Sequence, residues 1–214
     1  MDKQLLWQHG EQYVGATLDP NNAASDPFVQ FRAWFAAAEV ANVATVNAMT
    51  LATVDRDGWP QARIVLLKEI DARGLVFYTN YESAKGRELA AHPRASVLFF
   101  WEPLHRQIRV VGDIERVSAA ESDAYFAVRP RGSQLAAIAS PQSATLASRD
   151  ELAARVTALD TQYADSTPPR PAHWGGYRLV PQAFEFWQGQ PSRMHDRVQY
   201  TQRDGGWQRV RLAP

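Results

Sequence analysis

The 214 residues include no cysteine, which removes disulfides, thiolate nucleophiles and cysteine-ligated zinc or iron–sulfur centres from consideration. Net charge is also missing, because 23 Lys and Arg balance 23 Asp and Glu. A nucleic-acid binder usually carries a basic excess or a basic block, so no nucleic-acid partner is expected, and any bound anion should be small and met by a few placed residues. No run approaches eighteen apolar residues, and the opening M-D-K-Q-L-L-W-Q-H-G lacks an apolar signal-peptide core. No membrane segment and a cytoplasmic location are therefore expected. The five His stand apart, at 9, 92, 105, 173 and 195, with no H-E-x-x-H, and no metal site is expected. Glycine fingerprints for dinucleotides or P-loop phosphates are absent, as is the G-x-S-x-G elbow of a hydrolase. What remains points to a bound organic cofactor, with the protein supplying phosphate contacts and orientation. Lysine is scarce too: only Lys3, Lys68 and Lys85 occur, and the last two lie in segments that matter below.

Hydrophobic residues at 45% and aromatics at 11% are enough for a sizeable core. Asp26-Pro27 reads as a helix start, with Asp as N-cap and Pro in the first turn, and the helix runs to about Val40. Strands are predicted at 48–54, 61–68 and 75–80, separated by D-R-D-G and D-A-R-G turns, an antiparallel meander. Ser83 caps a short helix that stops at Pro93, and strands follow at 95–101 and 106–117. The capping boxes S-A-A-E (118–121) and S-R-D-E (148–151) open helices to about Val128 and Tyr163, with a short helix over Ser133–Ala139 between them. After the Pro-rich loop T-P-P-R-P, strands are predicted at 175–187, 193–202 and 206–212, the last two joined as a hairpin by D-G-G. The pattern predicts an α+β fold with an antiparallel sheet that can close into a barrel. Residues 1–25 are expected to be a weakly ordered segment and 26–214 a single domain.

Several constellations carry charge in suggestive places. In S-R-M-H-D-R (192–197) a strand would put Arg193, His195 and Arg197 on one face. Three cation-capable groups in a row call for an anion or a π-system across them. Arg63 and Lys68 flank four apolar residues, and their odd offset would turn them to opposite faces of a regular strand. A buried strand with solvated charged ends fits that spacing as well and is favoured by it. In F-Y-T-N-Y-E-S-A-K the hydroxyls of Thr79 and Ser83 precede a helix whose first turn holds Lys85. A cation there opposes the helix dipole unless an anion faces it, and a phosphate would satisfy both; a solvated Lys is the plain alternative. Tyr125 and Arg129 are four apart, hence on one helix face, and Ser133 follows Gly132. A phenol, a guanidinium and a hydroxyl together suit a phosphate monoester, although R-P-R-G also reads as helix-end punctuation. The aromatic runs W-G-G-Y-R-L-V and F-E-F-W-Q-G read first as core packing, with Trp187 placed to wall a flat heterocycle.

Taken together, R-I-V-L-L-K, F-Y-T-N, R-P-R-G-S-Q, W-G-G-Y-R, F-E-F-W-Q-G, R-M-H-D-R and the terminal R-L-A-P strongly resemble the pyridoxamine 5′-phosphate oxidase family, in order and spacing from about residue 27 to the last. The resemblance implies an FMN-binding split β-barrel with surrounding helices, assembled as a homodimer with FMN at the subunit interface. It implies oxidation of pyridoxamine or pyridoxine 5′-phosphate to pyridoxal 5′-phosphate, with O2 reduced to H2O2. Carried over residue by residue, FMN would meet Arg63, Lys68, Tyr78, Thr79, Lys85, Gln107, Gln142, Ser143, Trp187 and Arg197. The substrate would meet Lys68, Tyr125, Arg129, Ser133, Arg193 and His195, with Arg193 and His195 orienting the reacting group.

Three departures stand out. Ala84 replaces an Arg usual in the family beside the FMN phosphate, with Arg87 as a candidate replacement; Arg residues common near Tyr13 are missing; and A-A-I (136–138) stands where G-A-W is usual. Two alternatives keep the cofactor but change the role. One is a related flavin oxidase of another reduced aromatic, of the phenazine type, which S-A-K-G-R-E-L-A also resembles. The other is a non-catalytic protein that binds FMN or pyridoxal phosphate.

Overall fold

In the computed structural model, Tyr13 and residues 15–214 are described. Most of the segment expected to be weakly ordered therefore lies outside the described residues. Helix α1 (Pro27–Val40) begins as its sequence dictates: Asp26 accepts a hydrogen bond from the Phe28 amide at 2.7 Å, and Pro27 fills a position that needs no N–H. Its buried face carries Phe28, Phe31, Trp34 and Ala38. Strands β1 (Ala48–Val54), β2 (Pro60–Leu66), β3 (Glu69–Asp71) and β4 (Gly74–Asn80) follow, then α2 (Ala84–Ala91), β5 (Arg94–Trp101) and β6 (Arg106–Arg116). Helices α3 (Ala119–Ala127), α4 (Arg131–Ala139) and α5 (Arg149–Gln162) precede β7 (Trp174–Gln188), β8 (Asp196–Arg203) and β9 (Gly206–Leu212).

The strands make one sheet in the order β2-β1-β5-β6-β7-β4-β3, with β8 pairing to β7 and β9 to β8. β4 runs antiparallel to β7 from Leu75↔Leu179 to Asn80↔Trp174, and β8 to β7 from Ala183↔Thr201 to Gln188↔Asp196. The β3–β4 hairpin requires Gly74, whose φ is 145° and whose missing Cβ would lie 2.1 Å from the Leu179 carbonyl oxygen. The β8–β9 turn uses Asp204 and Gly205 at φ 50° and 78°, residues that tolerate the left-handed region a tight hairpin needs.

By contact the chain divides into two compact units. The first is drawn from Met1–Met49, Val97–Val111 and Gln182–Pro214. Its core is aromatic: Phe31 meets Phe99 edge-on at 5.2 Å and Trp34 meets Phe186 at 5.3 Å. Such pairs contribute about 0.5–1.5 kcal/mol beyond their burial. Tyr200 belongs to this core. Its hydroxyl donates to the Ala24 carbonyl at 2.8 Å, and burial pushes the phenol up to about 12. The second unit, Thr50–Ser96 and Gly112–Pro181, packs Leu51, Leu75, Phe77, Leu89, Phe126 and Leu179.

Two predicted strands are corrected. The strand expected over 61–68 ends at Leu66, so Lys68 lies beyond it and the facing rule does not relate Lys68 to Arg63. The strand expected from 193 begins at Asp196. Pro191 opens a 3-10 turn, and Ser192 and Arg193 adopt φ of 56° and 59°, which no strand tolerates. Arg193 and His195 therefore do not share a strand face with Arg197. The second capping box is half formed as well. Ser148 accepts from Glu151 N at 3.2 Å, but the Glu151 carboxylate turns to the Ala147 amide.

Candidate active site

In the second unit β4 delivers Tyr78 and Thr79, and the next turn delivers α2. Ser83 caps α2, accepting from Gly86 N at 3.3 Å. Lys85 reaches back from the first turn: its Nζ lies 2.8 Å from Gln142 Oε1, 3.3 Å from Thr79 Oγ1 and 3.4 Å from Ser83 Oγ. All three acceptors are neutral. Burial first, and the field of Arg63 second, hold the Lys85 ammonium below its ordinary pKa, against the pull of Glu88. Ser143, at φ 72°, turns its hydroxyl to accept from the Ala84 amide at 3.1 Å. Arg87, the candidate replacement for the missing Arg, donates instead to the Glu82 carbonyl.

On the other side of the cavity, α3 and the residues after it bring Tyr125, Arg129 and Ser133. Tyr125 stacks on Tyr78 at 4.1 Å and 24°, and Tyr78 on Trp174 at 5.5 Å and 13°. Lys68 Nζ lies 5.8 Å from the centre of the Tyr125 ring. The Arg129 guanidinium lies over Trp174, 4.5 Å from the ring centre, and burial holds its pKa below the ordinary value. Its Nη1 is buried without a hydrogen-bond partner. An unmade bond on a buried charged donor costs on the order of 1–3 kcal/mol or more, and a bound anion would remove that cost. The cavity measures about 500 Å³.

Of the residues singled out in the sequence, Lys68, Tyr78, Thr79, Lys85, Tyr125, Arg129, Ser133 and Gln142 all line this cavity. Ser143 does not line it, although it follows Gln142, which does. Arg63 does not line it. Its guanidinium pairs with Glu88 at 2.7 Å and donates to Thr53 Oγ1 and to the Leu51 carbonyl. Trp174, Ile64, Val65 and Leu66 are lining residues that sequence reasoning missed. The W-G-G run held the signal for Trp174: a Cβ on Gly175 or Gly176 would collide with Tyr81 or Tyr78, so the backbone beside Trp174 is pressed against aromatic side chains.

The remaining candidates belong to the first unit. Trp187 and His195 pack at 4.7 Å, and Tyr13 meets both at 5.6 Å and His105 at 4.7 Å. Gly189 makes room for this group, because a Cβ there would sit 2.7 Å from Tyr13 Cγ. The Gln190 amide donates to His195 Nδ1 at 3.1 Å, so the neutral ring carries its proton on Nε2. Burial, then the charge of Arg193, lowers the His195 pKa. Arg197 is held by the buried Glu185 at 2.8 Å and by the Ala213 carbonyl at 2.8 Å, and Arg109 shares Glu185. Arg193 is exposed, and Gln107 is half-buried on β6.

The cavity is walled by stacked rings and lined by cations that, among the described residues, no carboxylate pairs with, and the fold is an α+β antiparallel split barrel. A family profile described as "Pyridoxamine 5′-phosphate oxidase" matches residues 30–163, and one described as "Pyridoxine 5′-phosphate oxidase C-terminal dimerisation region" matches 174–214. The chain belongs to the pyridoxamine 5′-phosphate oxidase family. It is 57% identical to the pyridoxine/pyridoxamine 5′-phosphate oxidase of Pseudomonas paraeruginosa, over 99% of each chain. Among solved structures it resembles PhzG from Burkholderia lata 383, in complex with tetrahydrophenazine-1-carboxylic acid. That match has a TM-score of 0.88 and 32% identity, over 96% of this chain and 100% of that one. A pyridoxamine 5′-phosphate oxidase-related, FMN binding protein from Nostoc punctiforme shares the fold, with a TM-score of 0.70 and 17% identity over 89% of this chain and 100% of that one.

Proposed function

We propose that the chain is an FMN-dependent oxidase that converts pyridoxamine or pyridoxine 5′-phosphate to pyridoxal 5′-phosphate and acts as a homodimer with FMN at the subunit interface. The observation that carries this reading is the buried, unpartnered Nη1 of Arg129 in an aromatic-walled cavity. The residues present fit FMN. Lys85 is a half-buried cation with neutral hydrogen-bond partners, beside Thr79, Gln142 and the capped N-terminus of α2. That donor set suits a phosphate. When bound, FMN supplies hydride acceptance from C4′ of the substrate and electron transfer to O2, releasing H2O2.

The protein's own residues bind and orient. Arg129, Tyr125 and Ser133 grip the substrate phosphate, remote from the reacting carbon, so that binding energy is spent on alignment. Lys68 stands over the Tyr125 ring and lines the cavity with residues of both proposed sets. The family resemblance further assigns Arg63, Tyr78, Gln107, Ser143, Trp187 and Arg197 to the cofactor; of these, Tyr78 lines the cavity. Arg193 and His195 orient the group being oxidised, and His195, proton on Nε2, offers a donor rather than a base.

A second reading, oxidation of an unphosphorylated reduced aromatic, is favoured by the likeness to PhzG. The unpartnered guanidinium of Arg129 speaks for a phosphorylated substrate instead. An oxygen electrode separates the two. Oxygen uptake and H2O2 release are expected with pyridoxine 5′-phosphate and not with pyridoxine, and equal rates on both would remove the phosphate grip from the account.

A further inference from the structure

Arg178 is an unusual residue to find inside the second unit. It is 1% exposed, next to the apolar Tyr177 and Leu179 on β7. Its Nη1 lies 3.1 Å from Asp71 Oδ1, its Nη2 3.0 Å from Glu121 Oε1, and its Nε 3.7 Å from Glu115 Oε1. A buried ion pair adds little net stability over apolar packing, and its better-attested use is to fix register.

The register available here is that of α3 along β7. Trp174, Gly176 and Arg178 alternate along β7 and so share one face. Each meets α3 or the residues just after it. Arg178 meets Glu121, the amide of Gly176 donates to Ser122 Oγ at 3.2 Å, and Trp174 lies under Arg129. From Glu121 to Ala127 the helix rises about 9 Å, and the residues after its C-cap carry Arg129 further along the roughly 13 Å of strand from 178 to 174. One end of the helix is thus tied down at Arg178, and its other end leads into the guanidinium over Trp174. Glu121 serves both jobs. Its Oε2 closes the capping box on Ser118 N at 2.9 Å while its Oε1 takes Arg178.

We infer that Arg178 and Glu121 form a positioning pair, which fixes how far α3 slides along β7 and thereby holds Arg129 over Trp174 and Tyr125 against Tyr78. The inference rests on the reading of Arg129 as the ligand of the substrate phosphate. Neither residue lines the cavity, so the pair acts through α3.

The test uses the FMN-loaded enzyme and three variants. Arg178→Met cuts the tie and leaves the capping box in place. Ser118→Ala weakens the box and leaves the tie. Glu121→Ala removes both and stands in if Arg178→Met does not fold. Arg178→Met is expected to raise KM for pyridoxine 5′-phosphate by about tenfold, the scale of one charge-assisted hydrogen bond. Its kcat should stay within about twofold and its FMN dissociation constant unchanged, because α3 carries none of the cofactor cluster around Lys85. Ser118→Ala should lower the melting temperature and leave KM in place. An unchanged KM in Arg178→Met, or in Glu121→Ala where that variant replaces it, overturns the inference. So does an equal rise in KM for Ser118→Ala, which would make the effect one of general helix fraying. Failure of the underlying reading looks different: the unmodified enzyme would not prefer the phosphorylated substrate, and Arg129→Met would leave KM unaltered.

Discussion

Two sites, the cavity of the second unit and the Glu185 cluster of the first, treat their cations in opposite ways. In the second unit Lys68, Lys85 and Arg129 line one cavity, and among the described residues no carboxylate lies within ion-pair distance of any of them. In the first unit Arg109 and Arg197 share the buried Glu185, and Arg211 bridges Asp19 and Asp196 at 2.8 and 2.7 Å. A cation already neutralised by the protein has its energy committed to the fold. A cation left among neutral partners and rings is costly to fold around and is repaid only when an anion arrives. The unpaired set carries the proposed binding role, and the paired set is committed to the fold of its own unit.

The largest expected effect comes from removing the carboxylate that the first unit depends on. Glu185→Ala leaves two guanidiniums without their shared partner. Breaking a fully buried pair costs about 3–5 kcal/mol, but these guanidiniums reach solvent, so about 2–3 kcal/mol is expected. Urea unfolding measures it. The same experiment on Arg129→Met should show a change within about 0.5 kcal/mol, or a small gain, because a buried donor without a partner is removed. Equal losses in the two variants would break the contrast.

Arg129→Met should instead appear in function. A hydrogen bond to a charged group contributes about 1.5–3 kcal/mol, so kcat/KM on pyridoxine 5′-phosphate should fall by about 10- to 150-fold. The loss should sit mainly in KM. A fall confined to kcat, with KM unmoved, would place Arg129 at the reacting group and not at the phosphate.

Why some of this was legible in the sequence and some was not follows from where each signal lies. Asp26-Pro27, Ser83, Ser118 and the D-G-G turn act on their own neighbours, and the elements they open or close begin within a residue or two of where they were expected. β3 was missed because three residues acquire strand geometry only through pairing with β4. The start of β8 was missed because alternation in S-R-M-H-D-R looked regular, while Pro191 and two left-handed residues decided the backbone. In the site, Tyr125, Arg129 and Ser133 could be grouped because they are close in sequence. The Arg178–Glu121 pair spans 57 positions and Arg63–Glu88 spans 25, so no local pattern joins either. Trp174 was hidden because an aromatic beside two glycines reads as core, and at 6% exposure it is core as well as wall.

A subtler effect tests the neutral surroundings of Lys85. Its pKa is lowered by burial and by Arg63, so its charge is lost at a pH below the ordinary lysine value of 10.5. Binding of an anion needs that charge. FMN affinity of the apoprotein should therefore be full at neutral pH and fall as pH rises through the depressed pKa, by about tenfold for each further unit. Lys85→Arg, whose guanidinium stays charged, should carry full affinity to higher pH. A limb that does not move would mean that another group titrates there.

The smallest effect lies in the first unit, at His195. Its folded pKa is depressed, by burial and then by Arg193, below the unfolded value near 6.5. Between those two values the unfolded chain binds more protons than the folded one, so stability rises with pH through that window and is lost as pH falls below about 6.5. His195→Gln should flatten this acid slope in a thermal melt between about pH 7 and pH 5, with little change at pH 8. The slope is expected to be shallow, because the ring is only partly covered by Tyr13 and Trp187. A slope between pH 7 and pH 5 that survives the substitution would assign the acid sensitivity there to another group. The carboxylates of Asp19 and Asp196 have pKa values lowered by their hydrogen bonds and by Arg211, so their contribution is present above about pH 4 and disappears below it. The two windows open at different pH, near 6.5 and near 4, and one pH series therefore tells a ring that resists charge from carboxylates that require it.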